Sequence, residues 1–242
     1  MPRTAAAIFA HPDDETFSIG GSIAKYAAQG VRWDLFCATD GDAGRSSAVP
    51  VASREELGAL RRNELIAAAR MLGVRGEIVA RGYPDGGLTE VDPDQLIGEV
   101  VQFLRATRPQ VVITFGPEGA PNAHRDHRAI SRVATAAYFL AASPTAYPQP
   151  QRPPHAPARL YYTTWPPPGP DSPHTVHGVP VTARVDVTKE LDTKRRAFQV
   201  HATQRDLEDR FQRLALTDEE WFALASGRAQ PRETIEDLFA GL

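Results

Sequence analysis

Short apolar runs that stop at polar or glycine-rich turns alternate with longer stretches of helical period through residues 5–142, and this alternation constrains the fold more than any other feature. An apolar run of four to eight residues followed by a segment of 3.6-residue period is the mark of a βα unit. A series of such units builds a parallel sheet with helices on both faces. Residues 5–10 form the first expected strand and 17–29 the helix after it, with Gly30 as its stop. Further strands are expected at 31–38, 77–80 and 110–115. Helices fall at 53–72, with Ser53 as cap and Gly73 as terminator, at 95–105 after Asp92 or Asp94, and at 126–142. The expected fold class is α/β: a Rossmann-like, doubly wound, mostly parallel sheet with core order 3-2-1-4-5.

After residue 143 the texture changes, because Pro144, Pro148, Pro150, Pro153, Pro154 and Pro157 forbid regular helix. Strands are expected at 159–164 and 179–187, on either side of a second Pro-rich connection at 166–173. A helix starts at Thr188 or Asp192 and runs to about Leu207, and the end of the chain reads as helical at 218–225 and 233–238. Neither Pro-rich piece carries enough apolar elements for a core of its own, so the expectation is one domain over 1–242 with Pro-rich insertions around 143–173.

The 27 basic and 30 acidic residues give a formal charge of -3 and are spread along the chain, which argues against nucleic acid and anionic membrane as partners. The single cysteine, Cys37, lies in an apolar run and reads as a buried thiol, which excludes an internal disulfide and a Cys-rich zinc site. No signal-peptide core and no run of 18 apolar residues is present, so a cytoplasmic location is expected.

Two motifs carry chemistry. His11-Pro12-Asp13-Asp14-Glu15 follows the first strand directly, and His124-Arg125-Asp126-His127 follows the fourth and opens the next helix. In the 3-2-1-4-5 order these strands are neighbours whose connections leave in opposite directions, so both motifs flank one crevice. Two imidazoles and a carboxylate leave zinc an open position, as a catalytic site requires. One of the adjacent aspartates can bind the metal while the other handles a proton, and an unligated imidazole held charged by Asp126 could face an oxyanion. A lone His-x-x-His, by contrast, reads as a solvated helix start, and His155, His174 and His177 read as surface residues; His201 reads equally as cavity wall or interface. No Gly-x-Gly-x-x-Gly follows strand one and no phosphate loop is present, which speaks against a nucleotide-binding module.

Together with Thr39-Asp40-Gly41-Asp42-Ala43-Gly44-Arg45, Arg61-Arg62-Asn63-Glu64-Leu65 and Gly82-Tyr83-Pro84-Asp85-Gly86-Gly87-Leu88, these motifs resemble the LmbE-like (PIG-L) deacetylase family over about residues 5–142. His201-Ala202-Thr203-Gln204 also resembles a family element. The resemblance implies zinc-dependent hydrolysis of an amide C–N bond, most simply N-deacetylation of an N-acetylglucosamine-type glycoside or thiol-pathway conjugate as in the routes to mycothiol and bacillithiol. It implies His11, Asp14 and His127 as ligands of zinc or another divalent ion such as Fe2+. It further implies Asp13 as general base, and His124 with Asp126 as the pair facing the oxyanion or leaving group. Arg61, Asp85 and Asp42 would contact substrate, although Asp42 stands where the family often has glutamate. Asn122 replaces a tyrosine of the mycothiol branch, which removes one source of a general acid. The expected partner is a small acetamido sugar or related amide, and assembly of like chains is compatible with the sequence. The alternatives are a metal-dependent esterase or phosphoesterase, since the same donor types serve those reactions, and a non-catalytic sugar- or nucleotide-binding module.

Overall fold

The computed structural model describes residues 2–119, 121–165, 177–227 and 234–242. Five strands, β1 (Thr4–Phe9), β2 (Arg32–Thr39), β3 (Ile78–Tyr83), β4 (Val111–Phe115) and β5 (Arg159–Thr164), lie parallel, and β6 (Ala183–Asp186) and β7 (Glu219–Ser226) extend the same sheet antiparallel. The order is β3-β2-β1-β4-β5-β7-β6, so the expected core order holds and two strands continue it. The helices are α1 (Asp14–Ala28), α2 (Arg54–Leu72), α3 (Pro93–Thr107), α4 (Arg125–Leu140), α5 (Leu191–Val200) and α6 (Glu208–Leu214).

Local chemistry sets the helix ends. Ser53 Oγ accepts the Glu56 N–H at the start of α2, and Gly73, at φ 98°, closes that helix in a conformation that costs a glycine little. Asp92 caps α3 ahead of Pro93, whose fixed φ suits a first helical position. On β1, Ala5 to Phe9 are all buried, and the three alanines leave room for helices to close on both faces of the central strand. The Cys37 thiol is buried as expected, and burial pushes its pKa up.

Four expectations fail beyond β5. Residues 219–226 form β7 rather than a helix. Their Glu, Ala and Leu content favours helix weakly, but the open edge of β5 supplies a ladder, and Glu220 and Phe222 point into the protein. Within 233–238 the described residues form no helix, and Ile235 bridges Ala183. The strand expected over 179–187 is confined to Ala183–Asp186. The helix expected to run to Leu207 breaks at His201 and resumes as a 3-10 turn over Ala202–Leu207. The Pro-rich stretch after α4 is held by Arg105 of α3, a buried side chain that donates to the carbonyls of Leu140, Ala141, Ser143, Ala146 and Tyr147. His155 is tied into this stretch through the Pro109 carbonyl at 2.7 Å and is half-buried rather than on the surface. His177 is exposed, and the reading of His174 and of 166–173 lies outside the described residues. No helix among the described residues is long and apolar enough to cross a membrane.

Candidate active site

The loop that ends β1 and the loop that ends β4 leave neighbouring parallel strands at their carboxyl ends, where open α/β sheets place ligands. Helix α1 begins at Asp14, three residues earlier than its apolar period indicates, so the first motif is itself the helix start. Thr16 and Phe17 N–H groups donate to the Asp13 carbonyl, and the acidic side chains of Asp14 and Glu15 occupy a first turn where the helix dipole favours negative charge. Asp13 itself has φ 111°, a left-handed conformation that strains a non-glycine residue by about 1–3 kcal/mol. Such strain persists only where the surroundings enforce it. Arg61 of α2 does so from beneath, donating to the Pro12 carbonyl at 2.6 Å, the Gly41 carbonyl at 2.8 Å and Asp13 Oδ2 at 3.1 Å. A Cβ on Gly41 or Gly44 would sit about 2.5 Å from that guanidinium, which explains both glycines of the Thr39–Arg45 motif.

Three donor groups meet above this loop, Asp14 through both of its carboxylate oxygens. His11 Nδ1 lies 3.2 Å from His127 Nε2 and 3.4 Å from Asp14 Oδ2, and Asp14 Oδ1 lies 3.3 Å from His127 Nε2. The edge of a tetrahedron of N and O donors around zinc, with bonds of roughly 2.0–2.1 Å, is about 3.3 Å. The set therefore fits a tetrahedrally bound metal ion. Each donor is oriented by a partner on its other side. His127 stacks on Phe115 at 4.0 Å between ring centroids. Asp14 Oδ2 accepts the His11 N–H at 2.8 Å. His11 Nε2 faces Asp126 Oδ2 at 3.3 Å and Asp85 Oδ1 at 3.1 Å, an imidazole backed by carboxylates as metal-bound histidines commonly are. Two other groups also converge on His11, one with His124 and His127 and one with Asp85 and Asp126. In the second, Asp126 is already engaged, since its carboxylate accepts the Gly86 and Leu88 N–H groups.

The electrostatics point the same way. Burial works against a charged His11, but Asp14 foremost, with hydrogen bonds that the imidazole donates to Asp126, Asp14 and Asp85, lifts its pKa well above the usual imidazole value. Burial would raise Asp14, yet His127 and His11 hold it well below the carboxylate range. The surrounding carboxylates thus keep a proton on the His11 imidazole where a divalent cation would supply the charge, and metal binding would displace it. Asp13 differs from its neighbour. Burial raises it to about 6, against the pull of Arg61 and with the Asp14 charge adding to the rise.

His124 caps α4, its Nδ1 accepting the Asp126 N–H at 3.2 Å, and its ring lies edge-on to His11. Asp126 does not hold it in the charged form: the Asp126 carboxylate turns to His11 and the loop after β3, while burial and then His11 and His127 push the His124 pKa down. Asp42 lies outside the cavity, with Oδ1 accepting the Asp85 N–H at 2.8 Å and Oδ2 taking Arg54, so it shapes the Asp85 loop from behind. Arg61 is buried, not an exposed helix arginine, and spends two bonds on the loop after β1 and one on the loop after β2. Asp85 and Asn122 both line the cavity, and Asn122 also accepts the His124 N–H.

The cavity has a volume of about 240 Å3 and runs from the donor cluster along α1 to α6 and β7. Its further wall includes Phe17, Trp165, Leu207 and Trp221, and its floor the buried pair Lys194–Glu220, with Nζ 2.7 Å from Oε1. Sequence reading missed these. A lone helix lysine and a strand glutamate carry no local signal that they pair inside. Glu15 and His201 were visible in the motifs without a role; their contact at 3.2 Å shows only in three dimensions.

A doubly wound sheet with a histidine and aspartate donor set at its carboxyl edge, beside a buried carboxyl of raised pKa, defines the class of metal-assisted α/β hydrolases. The GlcNAc-PI de-N-acetylase (PIG-L) family model matches residues 6–138, and the chain belongs to this family. A relative from Rhodococcus jostii, 1D-myo-inositol 2-acetamido-2-deoxy-alpha-D-glucopyranoside deacetylase, is 31% identical over 99% of this chain and 98% of its own. Among solved structures, N,N'-diacetylchitobiose deacetylase from Pyrococcus horikoshii superposes with a TM-score of 0.73 at 23% identity, covering 92% of this chain and 84% of that one. The 4-carboxy-2-hydroxymuconate hydratase from Pseudomonas putida, at TM-score 0.75 and 20% identity over 95% of this chain and 99% of that one, shares the fold.

Proposed function

We propose that this chain is a metal-dependent amidohydrolase that removes the acetyl group from the amide nitrogen of an acetamido sugar, an N-acetylglucosamine-type glycoside. The observation that carries this reading is the triangle of His11 Nδ1, Asp14 and His127 Nε2 at 3.2–3.4 Å with the Asp13 carboxyl beside it. Family membership supplies the reaction class, because the hydratase with the same fold shows that the sheet alone does not select one. The inositol glycoside is what the Rhodococcus relative is named for, and we carry it over as substrate class.

In this reading His11, Asp14 and His127 hold the ion, zinc or another divalent metal. When bound, the ion supplies Lewis acidity toward water and toward the acetamide carbonyl. Asp13, kept near pKa 6, takes a proton from the attacking water on the carboxylate oxygen that Arg61 leaves free, and returns it to the departing amine. His124 stands next to His11 where negative charge develops on the carbonyl oxygen, and donates to it. Asp126 and Asp85 fix His11 so that Nδ1 points at the ion, and Asp85, at the cavity wall, also offers oxygen to sugar hydroxyls. The chain 1–242 acts in this reading as one catalytic domain, and as a cytoplasmic enzyme.

The test is a screen of N-acetylglucosamine conjugates for released amine, with added zinc and after chelation, alongside matched esters and phosphate monoesters. Metal-dependent amine release that Asp13→Ala reduces at least a hundredfold, to a residual but measurable rate, while zinc stays bound supports the proposal. Ester or phosphate hydrolysis without amide cleavage, or ligand binding without any product, would falsify it.

A further inference from the structure

The segment His201-Ala202-Thr203-Gln204 resembles a family element, yet none of its side chains lines the cavity. It sits where α5 breaks, and its side chains reach three different elements. His201 Nε2 meets Glu15 Oε1 on α1 at 3.2 Å. Thr203 donates from N and Oγ1 to Glu64 of α2, at 2.9 and 2.5 Å. Gln204 donates to the Arg45 carbonyl in the loop after β2 at 3.2 Å. The His201 backbone is fixed too, its N–H on the Phe198 carbonyl and its carbonyl on the Gln204 N–H.

What lies beyond Glu15 gives these contacts their meaning. Glu15 is 1% exposed and His201 0%, so neither bond competes with water. Glu15 Oε1 also accepts the Thr16 hydroxyl at 2.6 Å, and Oε2 accepts the backbone N–H of Asp13 at 3.2 Å. That N–H belongs to the residue at φ 111°. Arg61 holds the Asp13 carboxylate and the preceding carbonyl, and Glu64, one turn along α2, holds Thr203. The strained residue is thus gripped from the side chain by Arg61 and from the backbone by Glu15, and His201 joins the neighbouring Thr16 hydroxyl in fixing the Glu15 carboxylate from a distant element.

We propose that His201 is a positioning residue for Asp13: acting through Glu15, it enforces the left-handed backbone that aims the Asp13 carboxylate. The kinetic half of this rests on Asp13 being the base in the proposed reaction; the structural half does not.

The experiment uses the full zinc-loaded chain with His201→Phe, which keeps buried volume and removes the donor, and His201→Gln, which keeps a donor. Hydrogen exchange followed by NMR should show the Asp13 amide exchanging at least tenfold faster in His201→Phe, with Ile8 and Phe9 on β1 unchanged, and within threefold of the parent in His201→Gln. Turnover should fall ten- to hundredfold in His201→Phe with zinc bound and KM within threefold, and His201→Gln should restore most of it. In an Asp13→Ala background the same substitution should cost less than threefold, because a residue acting through Asp13 has nothing left to act on. Unchanged exchange at Asp13 overturns the proposal, as does a turnover loss equally large with and without Asp13. If the parent chain cleaves no amide, the proposed function fails, and the exchange measurement alone decides the role of His201. Should His201→Phe not fold, Glu15→Gln, with one acceptor oxygen in place of two, supplies the loss arm.

Discussion

The parallel part of the sheet, β1 to β4 with the loops after them, carries every group proposed to touch metal or proton. The antiparallel extension, β7 with α5 and α6, carries none of them and builds the floor and far wall of the same cavity. The difference follows from strand direction. Parallel strands end on one edge, so the loops after β1, β3 and β4 deliver His11, Asp14, Asp85 and His127 side by side. An antiparallel strand begins at that edge instead, and offers the site its first residues, here Glu219, Glu220 and Trp221. The two parts meet where α1 departs from helical geometry at Ile19, and the Glu220 carboxylate accepts the Gly21 and Ser22 N–H groups at 2.9 and 2.8 Å. Reaction and support are thus assigned to different stretches of chain, and substitutions should separate them.

The largest effect is expected in the parallel part. Asp14→Ala removes a proposed metal donor and the acceptor of the His11 backbone N–H together, so zinc should drop from about one per chain to a small fraction. Activity should vanish with it, while the thermal midpoint of the metal-free protein moves little. Metal analysis and calorimetry read the two separately. Retention of stoichiometric zinc would break the assignment of the triangle.

Next comes the support. Lys194 and Glu220 have side chains 1% and 3% exposed, and removing one partner of such a pair strands a buried charge at a cost of roughly 3–5 kcal/mol. Lys194→Met should therefore lower the thermal midpoint by about 10 °C. Below that temperature zinc content should be unchanged. Equal loss of metal and stability would show that the two parts are one cooperative unit at the site, and the comparison would collapse.

The contrast also explains what could be read from sequence. In the parallel part His11, Asp13, Asp14 and Asp85 sit within a few positions of a strand end, so apolar run, turn and motif appear together, as in Ala5 to Glu15. The strand order followed, and with it the meeting of His11 and His127. The positive φ of Asp13 and the turning of Asp126 toward His11 carry no sequence signal, because both are set by Arg61 and the Gly86–Leu88 amides from elsewhere in the chain. In the antiparallel part Glu219 to Ser226 are fair helix formers, and only the free edge of β5 makes them a strand. Pairs such as Lys194 with Glu220, or His201 with Glu15, depend on tertiary packing that no local pattern announces.

A third substitution tests support remote from the cavity. Arg105 lines no part of it, yet it bonds five carbonyls, the last of α4 and four after it, each bond to a charged donor among the stronger kinds. Arg105→Met should cost about 2–4 kcal/mol in denaturant unfolding and leave kcat/KM within twofold. A tenfold fall in kcat/KM at full folding would tie the Pro-rich stretch to catalysis.

The smallest effect should come from Asp42, which lies in the parallel part but behind the site. Its Oδ2 pairs with Arg54, whose side chain is 59% exposed, and such a pair contributes at most about 1 kcal/mol. Its Oδ1 accepts the Asp85 N–H, and Asp85 in turn touches His11. Asp42→Asn keeps an acceptor for that amide but weakens it, so the Asp85 loop should loosen without moving the metal. The expected result is a two- to fivefold rise in KM, with kcat, zinc content and midpoint nearly unchanged. A hundredfold rise would mean that the carboxylate contacts the sugar itself, as the family's glutamate at this position would suggest, and that the loop rearranges around substrate. Asp42→Glu separates these outcomes further: a longer side chain behind Asp85 should disturb the loop, whereas one that reached the substrate should improve KM.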